Sequence, residues 1–576
     1  MTSTSEAPAA DPAKAPKRSP RAAHAIAQAL KDNGVDRLFL VTGGDLWLWH
    51  ALRDYGIEMH LVRSEAASVV MADAYARTTG RPAAVYGQWG PGATNVAGAL
   101  ADAWWARSPV VAITSTVSTA VEHKYEYQEI DQPPMFTSVT KWQARITRPD
   151  RAGELVARAV AIAAAGSPGP VHVDVPSDLL GEEVELRDSY AHTYTTAAPA
   201  PSPEAVSAIV ERLRGAQRPL ILAGNGVLLA RGAAELTELA ERTGVPVMTS
   251  MGGKGAIAES HPLAIGVVGR YSRKVCNELA KEADLVLAIG TDLGALVTDS
   301  YRVPGPDADI VQVDLSAERL GASMPVSLAV VADARETARA LTAAIAEQPM
   351  DELHADWRDE VAQRVAAWNE RFAAVAAEPA QGHVRPEAVA QILHELADPA
   401  DVVVADTGFM GAWAGVLYPV RTPGRSFLRA AGTLGWAFPS VLGAQLAIGD
   451  ERRAIAIVGD GGFGYNVGDL ESAVRMGIPA ITLVLNNCAL AYEVIGFEYI
   501  FDGDVVDEVC DFIDVDHGQI ARDYGAYGAR VDNPEDLRTA LREALAERRP
   551  AVIDVIVSKS RFAPVTTFDP WVARDL

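Results

Sequence analysis

The sequence predicts an α/β protein made of three doubly wound domains, each with a parallel sheet. Short apolar runs alternate with helical patterns along most of the chain, which is typical of parallel α/β architecture. The length of 576 residues allows about three or four domains of ordinary size. The composition, with 49% hydrophobic residues, is sufficient to fill several cores.

The first predicted domain covers residues 20–185. Its helical patterns separate four apolar runs, which we interpret as strands. A polar, proline-containing stretch at residues 186–204 follows and indicates a connection to the next domain. The predicted strands are "VDRLFLVTGG", "PAAVYGQWG", "SPVVAITST" and "GPVHVDVP", and the predicted helices are "EAASVVMADAYARTTG" and "GATNVAGALADAWWA".

Two further domains are predicted at residues 205–345 and 383–560, with a charged helical linker at residues 346–382 between them. The first and third domains share size and pattern, although we find no residue-level repeat. The predicted strands of the second domain are "RPLILAGNGV", "VPVMTS", "ADLVLAIGTDL" and "ADIVQVDLS". Those of the third are "DVVVADTG", "SFLRAAG", "RRAIAIVGDGG", "PAITLVLNN" and "PAVIDVIVS".

Charge, cysteine usage and hydropathy exclude several classes of protein. A net charge of −24 argues against binding to nucleic acid, although local N–H groups or a metal still allow an anionic ligand. Cys276, Cys488 and Cys510 show no CxxC spacing, so we expect no zinc ribbon and no disulfide framework, and a reducing cytoplasm. No apolar run approaches the ~20 residues that span a bilayer, so no membrane partner is expected.

Both ends of the chain are predicted to lie outside the packed domains. Residues 1–19 are rich in Ala, Pro and Ser and lack the apolar segment of a secretion signal, which indicates a disordered tail. Residues 561–576 form a C-terminal tail that either closes over a ligand or frays.

The stretch from Gly459 to Glu493 predicts a ligand-binding edge of the third sheet. "AIAIVGD" is interpreted as a buried strand that ends at Asp460, and "AITLVLNN" as the next strand, which ends at Asn487. A right-handed crossover helix brings both strand ends to the edge where open α/β sheets bind ligands. Carboxylate and amide oxygens suit Mg²⁺, and N–H groups at a helix start suit phosphates. The alternative is a strand-ending turn at Asp460 and a cap at Asn487.

This stretch resembles the thiamine-diphosphate enzyme family. The signature of the family is GDG, about two dozen residues and NN, and Gly459–Gly461 and Asn486–Asn487 match it with 24 residues between them. The resemblance covers about residues 20–560, so it is not confined to one motif. The Mg²⁺ ligands that it implies are Asp460, Asn487 and the backbone carbonyl of Ala489, and the residues that it places near the diphosphate are Gly408, Phe409, Gly461 and Gly462.

The first domain resembles the pyrimidine-binding domain of the family, and the third its diphosphate-binding domain. Glu65 falls where the family keeps the Glu that bonds the aminopyrimidine ring, and Gln128 in "YEYQEID" where related enzymes place a Gln near the thiazolium. The small, apolar surroundings of Glu65 favour proton sharing with the ring. The alternative for Glu65 is a solvated residue at a helix start. In "AGTLGWAFPSVLGAQLA", the resemblance puts Leu434 between the cofactor rings and directs the Gly432 carbonyl to the 4′-amino group.

The order of the domains resembles the acetolactate synthase and oxalyl-CoA decarboxylase branch, whose nucleotide-binding-like central domain holds FAD, ADP or nothing. The stretch "ILAGNGVLLARG" fails the dinucleotide fingerprint because Leu229 stands where the third Gly belongs. We therefore expect ADP or a CoA nucleotide rather than FAD. Asp314 is the candidate for a ribose hydroxyl, and the candidates for phosphates are Lys254, Arg270 and Arg273, with surface charges as the alternative.

Two features depart from the acetolactate synthase pattern. Glu493 stands in the segment that covers the thiazolium, where those enzymes generally carry an apolar residue, and an ionisable group there suggests proton transfer on the substrate. Trp47 and Trp49 stand in a segment that in those enzymes usually has small side chains and is rich in Gly and Pro. They either shape an apolar acyl pocket or belong to the core.

These departures resemble the 2-hydroxyacyl-CoA lyases, of the actinobacterial 2-hydroxyisobutyryl-CoA lyase type. The resemblance implies cleavage of a 2-hydroxyacyl-CoA to a ketone or aldehyde, such as acetone, and formyl-CoA, with Glu493 as the base. It also implies a homodimer at minimum, commonly a homotetramer, in which Glu65 and the Mg²⁺ site come from neighbouring subunits. Two alternatives stay open: an acetolactate synthase-like carboligase or decarboxylase acting on a 2-keto acid, and a non-catalytic partner subunit. Retention of Glu65, Asp460 and Asn487 together speaks against the second.

Overall fold

The computed structural model describes residues 19–192, 197–563 and 565–566. It contains three domains, each with a six-stranded sheet whose neighbouring strands all run parallel. The predicted fold class is therefore confirmed. The predicted N-terminal tail lies outside the described residues except at Ser19, and so does most of the C-terminal tail.

The N-terminal domain has six strands and six helices. The strands are β1 (Arg37–Leu40), β2 (Glu58–Leu61), β3 (Ala83–Gly87), β4 (Val110–Thr116), β5 (Trp142–Arg145) and β6 (Val171–Pro176). The helices are α1 (Ala22–Asp32), α2 (Leu46–Asp54), α3 (Glu65–Thr79), α4 (Pro91–Ala106), α5 (Pro133–Phe136) and α6 (Ala152–Ala164), with short 3₁₀ helices at Pro149–Arg151 and Leu179–Gly181. The strand order is β2-β1-β3-β4-β6-β5, so the winding reverses between β1 and β3.

The central domain has the strand order of the dinucleotide-binding fold. Its strands are β7 (Pro219–Ala223), β8 (Val247–Thr249), β9 (Ala264–Val267), β10 (Leu285–Ile289), β11 (Asp309–Asp314) and β12 (Leu328–Val331). Its helices are α7 (Pro203–Gly215), α8 (Asn225–Leu229), α9 (Ala233–Thr243), α10 (Lys274–Glu282) and α11 (Ala334–Ala344), with 3₁₀ turns at Met251–Gly253 and Ala317–Arg319. The order β12-β11-β10-β7-β8-β9 places a ligand crevice between β7 and β10. Helix α12 (Ala355–Ala376) then crosses to the last domain.

The C-terminal domain repeats the strand order of the N-terminal domain. Its strands are β13 (Val402–Ala405), β14 (Phe427–Arg429), β15 (Ala454–Gly459), β16 (Ile481–Asn486), β17 (Tyr527–Val531) and β18 (Ala551–Ile556). Its helices are α13 (Pro386–Leu396), α14 (Phe409–Leu417), α15 (Ala437–Ile448), α16 (Asp460–Asn466), α17 (Asp469–Arg475), α18 (Ala491–Ile500), α19 (Asp507–Cys510), α20 (His517–Tyr524) and α21 (Pro534–Ala546). The order β14-β13-β15-β16-β18-β17 gives a winding reversal between β13 and β15.

Helices α3 and α15 join the N-terminal and C-terminal domains into one core. Gly443 of α15 lies directly against the backbone carbonyl of Met71 in α3, where any side chain would collide. Ser440 donates to the carbonyl of Val70 at 3.1 Å. Buried apolar residues of both sheets form a single cluster around these helices. The close contact therefore fixes the two outer domains relative to each other within one chain.

The structure adds five strands that the sequence analysis did not predict, namely β2, β5, β9, β12 and β17. Each of them lies at an edge of its sheet. Every interior strand corresponds to a predicted apolar run. These strands are β1, β3, β4, β6, β7, β8, β10, β11, β13, β15, β16 and β18.

Candidate active site

Two neighbouring strands of the third sheet end side by side at its carboxyl edge. Gly459, the last residue of β15, pairs with Leu485 near the end of β16. Asp460 follows as the first residue of α16, and its carboxylate lies close enough to the backbone N–H of Asn487 for this group to lower its pKa. The structure thus brings together the two residues that the resemblance assigns to Mg²⁺.

The oxygen atoms at this edge suit a hard cation. Burial raises the pKa of Asp460 to about 6, and hydrogen bonds from N–H groups, including those of Gly461 and Asn487, oppose part of the effect. Cys488 turns the chain with a φ of 54°, and the Asn487 side-chain oxygen accepts from the N–H of Ala489 at 3.2 Å. A cation would favour the ionised carboxylate. One carboxylate with neutral oxygens is the donor set that Mg²⁺ takes when phosphates complete its shell.

The two asparagines of the NN pair differ in their contacts. Asn486 is buried and donates to Asp554 Oδ1 at 3.0 Å and to the Val515 carbonyl at 3.1 Å. Asp554 is fully buried, which raises its pKa to about 6, and it also accepts from the N–H of His517 at 3.2 Å. Asn486 therefore anchors the loop to the sheet, whereas Asn487 stays partly exposed. Sequence analysis did not identify Asp554.

Glycines form a cradle beside these strand ends. Gly408 precedes α14 with a φ of 69°, and no atom lies within 4 Å of the position that a Cβ would take there. A Cβ at Gly462 would come within 3.0 Å of Asp406 Oδ2, and one at Gly461 within 2.8 Å of Phe512. Backbone N–H groups can therefore approach a ligand closely, as a diphosphate requires. These residues fit a diphosphate held by a metal ion.

Asp406 fixes the segment that contains Leu434. The Asp406 side chain is buried, which raises its pKa to about 7. Leu434 is half-buried, and Gly432 before it is exposed with no atom near its missing side chain. The backbone N–H groups that donate to Asp406 are those of Thr407 at 2.7 Å, Gly435 at 3.1 Å and Ala437 at 3.3 Å. Gly432 and Leu434 were predicted from the sequence, but Asp406, which accepts from the backbone just after Leu434, was not.

Glu65 lies at the carboxyl edge of the first sheet. It is the first residue of α3, after the N-cap Ser64, and its Oε2 accepts from Asn95 Nδ2 at 3.0 Å. A Cβ at Gly92 would come within 3.2 Å of Oε1, so glycine leaves space for this carboxylate.

Gln128 belongs to an exposed loop between β4 and α5. His123, Tyr125 and Gln128 all have positive φ angles, of 64°, 59° and 63°. Tyr125 is 99% exposed and Tyr127 is 76% exposed. Two exposed aromatic side chains beside a candidate site residue are typical of a surface that a partner covers.

Glu493 lies in the first turn of α18, just beyond the metal edge. Its side chain is exposed and forms no salt bridge within the described part of the chain. The ring of the neighbouring Tyr492 lies 5.4 Å from that of Phe409, the first residue of α14. Phe409 is buried and also lies 6.0 Å from the Phe562 ring of the C-terminal segment. The start of α18 therefore borders the glycine cradle at Gly408.

The structure favours the core interpretation of the two tryptophans. Trp47 packs beneath the guanidinium of Arg21 at 5.2 Å, and Trp49 meets Tyr86 edge-on at 4.6 Å. Both pack against the buried cluster of the N-terminal domain. The neighbouring Leu46 is 73% exposed, so it is the apolar side chain that α2 presents to solvent here.

The crevice of the central domain contains a cavity of about 830 Å³. Asp314, at the end of β11, lines it, and burial raises the pKa of this carboxyl. Arg107 and Arg319 also line it, and both form salt bridges with Asp292, Arg107 at 3.7 Å. Neither cation was predicted from the sequence, and Arg107 comes from another domain, just after the end of α4.

The structure places Lys254 and Arg273, two of the predicted phosphate-binding residues, outside the lining of the central cavity. Both side chains are buried and share the single carboxylate of Glu259, so they are engaged inside the protein. Burial lowers the pKa of Lys254 to about 8. Arg273 also donates to the Val416 carbonyl at 3.1 Å, which ties the central domain to the C-terminal one. Arg270 is half-buried and donates to a serine, Ser300, at 2.9 Å, so it also lies outside the cavity lining.

Within the described residues, no helix combines the length and apolar character that crossing a bilayer requires.

Three profiles of one family match the chain in order. They are the N-terminal TPP binding domain of thiamine pyrophosphate enzymes at residues 20–135, the central domain at residues 206–341 and the C-terminal TPP binding domain at residues 406–555.

Similar proteins align along nearly the whole chain. A probable acetolactate synthase large subunit from Methanocaldococcus jannaschii is 29% identical over 560 residues, which cover 95% of this chain and 93% of the relative. A probable 2-ketoarginine decarboxylase from Pseudomonas aeruginosa is 32% identical over 555 residues, 92% of each chain. A sulfoacetaldehyde acetyltransferase from Rhodobacter capsulatus is 28% identical over 572 residues, 94% of this chain and 95% of the relative. With its three matched domains, the chain belongs to the thiamine pyrophosphate enzyme family, in the acetolactate synthase branch.

Proposed function

We propose that this protein is a 2-hydroxyacyl-CoA lyase that depends on thiamine diphosphate and Mg²⁺. It would cleave 2-hydroxyisobutyryl-CoA, or a close analogue, to a carbonyl compound such as acetone and formyl-CoA. The observation that carries the proposal is Glu493, an exposed carboxylate at the start of α18 beside the glycine cradle. A substrate that only loses CO₂ from a 2-keto acid does not need a base at this position, whereas a 2-hydroxyl group must give up its proton when the adjacent C–C bond breaks.

The other site residues bind the metal ion, the diphosphate and the aminopyrimidine ring in this proposal. Asp460, Asn487 and the carbonyl of Ala489 hold Mg²⁺ at the strand ends, and the backbone at Gly408, Gly461 and Gly462 contacts the diphosphate. Glu65 shares a proton with the aminopyrimidine ring, and Gln128 reaches the substrate side of the site. When bound, thiamine diphosphate supplies the nucleophilic carbon and the electron sink.

Glu493 acts as the base and then as the acid of the cleavage in this proposal. Its carboxylate takes the proton of the 2-hydroxyl group as the C1–C2 bond of the acyl group breaks, which leaves the carbonyl product. The same proton then returns to C1, so the second product is formyl-CoA and no external acid or base is consumed. Because Glu493 is exposed in the single chain, a neighbouring subunit or the C-terminal segment near Phe562 has to exclude water during this step.

The cavity of the central domain is the proposed site for ADP or a nucleotide part of CoA. Asp314 offers a carboxylate for a ribose hydroxyl, and Arg107 and Arg319 offer guanidinium groups for phosphates. We also propose a homodimer, or a homotetramer formed by two such dimers. The exposed aromatic side chains of the loop around Gln128 support this, because they form a surface that a second subunit would cover.

A 2-keto acid carboligase or decarboxylase is the second candidate function. It is favoured by the names of the relatives, which include a probable acetolactate synthase large subunit and a probable 2-ketoarginine decarboxylase. In that case Glu493 would be a solvated helix-start residue.

Mass spectrometry of the products separates the two candidates. The purified protein is incubated with thiamine diphosphate, Mg²⁺ and a panel of 2-hydroxyacyl-CoAs, and in parallel with pyruvate. Formyl-CoA together with a ketone or aldehyde from the first arm supports the lyase. Acetolactate or CO₂ from pyruvate without any formyl-CoA contradicts it.

A further inference from the structure

We propose that Asp102 is a positioning residue that sets the loop at residues 431–433 for cofactor binding. Asp102 lies on α4 of the N-terminal domain, and the loop belongs to the C-terminal domain. Its carboxylate accepts three successive backbone N–H groups, those of Ala431, of Gly432 at 3.2 Å and of Thr433 at 3.2 Å. Successive N–H groups of this kind form a concavity for an anion, which the protein fills here with its own carboxylate.

The loop itself is open to solvent, whereas its anchor is not. Gly432 and Thr433 are exposed, and Asp102 is only 2% exposed. Asp102 has no salt bridge among the described residues, so these backbone N–H groups are what satisfies its buried oxygens. Hydrogen bonds to an ionised acceptor are about twice as strong as neutral ones, so this anchor restrains the loop more than ordinary turn contacts do.

The geometry of the peptide group makes Asp102 relevant to the cofactor. The Gly432 carbonyl and the Thr433 N–H belong to one planar trans peptide, so they point in opposite directions. Because the Thr433 N–H points at Asp102 Oδ2, the Gly432 carbonyl points away from α4. That carbonyl is the group assigned to the 4′-amino group, so Asp102 sets the direction of the acceptor without touching the ligand.

Leu434 is held from both sides by carboxylates of different domains. Asp102 binds the backbone before it, and Asp406 binds the N–H groups of Gly435 and Ala437 after it. Removing the Asp102 charge would release one side of the segment while the other stays fixed. The bent cofactor would then have to order the loop on binding, which lowers its affinity.

The test compares Asp102→Asn with the matched control Asp401→Asn. Asp401 is also buried and accepts two backbone N–H groups, from Arg453 at 2.7 Å and Asp398 at 2.9 Å, but it lies before β13 at the opposite edge of the sheet. Calorimetry measures the Kd for thiamine diphosphate at saturating Mg²⁺. We expect Asp102→Asn to raise this Kd by about 10-fold or more, and Asp401→Asn to change it by less than about threefold.

Three results would overturn the proposal. The first is a Kd for Asp102→Asn within about threefold of the wild type, and the second is an equal loss in the control. The third is a hydrogen-exchange result on the wild-type holoenzyme, which decides the question even if the variant does not fold. The backbone amides of Gly432 and Thr433 should exchange slowly despite their exposure, and rapid exchange would contradict the role of Asp102. The proposal rests on the thiamine diphosphate site alone, so these binding readouts decide it even if no lyase activity is found.

Discussion

The Asp460 carboxylate lies beside the backbone N–H of Asn487 at two neighbouring strand ends of the third sheet, close enough for this N–H to lower the pKa of Asp460. The pairing of Gly459 with Leu485 fixes this relationship, because the last residues of β15 and β16 are held in register. A metal ion bound to the Asp460 oxygens would therefore lie within reach of the loop that follows β16. Asp460 and Asn487, the proposed metal ligands, are therefore close together before any cofactor binds.

Asp460→Asn should lose most of the metal-dependent affinity for thiamine diphosphate. The amide keeps the size of the side chain but removes its charge, and we expect the Kd to rise by about 100-fold or more. Calorimetry with Mg²⁺ and with EDTA measures this, and the wild type in EDTA should behave like the variant. Asp469→Asn is the control, because Asp469 is buried on the next helix and accepts the N–H of Arg63 at 3.0 Å. Tight cofactor binding in EDTA would count against the site.

Glu65→Gln should keep its fold and lose turnover. The Gln carbonyl still accepts from Asn95 Nδ2, which lies 3.0 Å from Oε2 in the wild type, so local packing is preserved. The proton that the carboxylate shares with the cofactor ring is lost, which should lower kcat by about 10²–10⁴-fold. Steady-state kinetics and thermal unfolding check the two parts of this expectation. Full activity would remove Glu65 from the proton relay.

Glu493→Gln should slow the cleavage step and leave cofactor binding unchanged. The amide cannot accept the hydroxyl proton, and we expect a fall of about 10²–10⁴-fold in the single-turnover rate of formyl-CoA release. Glu498→Gln on the same helix is the control, since Glu498 lies one turn further from the metal edge. An unchanged rate in the Glu493 variant, or an equal loss in the control, would contradict the assignment.

The buried carboxyl of Asp406 should make the stability of the cofactor-free protein depend on pH. Burial raises its pKa from 3.8 to about 7, so the folded state binds the proton more tightly than the unfolded state. The contribution of this proton to folding stability is fully present below about pH 4 and is lost as the pH rises through about 7. Relative to Asp406→Asn, the wild type should therefore lose Tm between about pH 5.5 and about pH 8. Parallel Tm curves for the two proteins would show that this carboxyl does not titrate as stated.

The interior strands were predictable from sequence, and the edge strands mostly were not. An interior parallel strand is buried on both faces and gives a continuous apolar run, as in "AIAIVG" of β15. An edge strand is partly exposed, so "EMHL" of β2 and "WQAR" of β5 carry polar residues and give no such run. Of the six edge strands, only β14 ("FLR") was predicted. The edge strands β9 ("AIGV") and β12 ("LAVV") are apolar, but each has only four residues and was missed.

The site was predictable where its residues form a local motif. Asp460 and Asn487 lie in one stretch with a fixed spacing, and Glu65 precedes an apolar helix face. Asp102 and Asp406 were missed because their partners are backbone N–H groups, which leave no trace in the sequence. Lys254 was predicted as a phosphate ligand because the sequence does not reveal that its side chain is buried against Glu259.

A crystal structure of the protein with thiamine diphosphate and Mg²⁺ tests the central claim most directly. The expected density shows the metal between the Asp460 carboxylate, the Asn487 side-chain oxygen and the Ala489 carbonyl, with diphosphate and water oxygens completing its octahedral shell. The aminopyrimidine ring should lie within hydrogen-bonding distance of a Glu65 carboxylate. Density for the diphosphate elsewhere, or a metal that does not contact Asp460, would contradict the assignment.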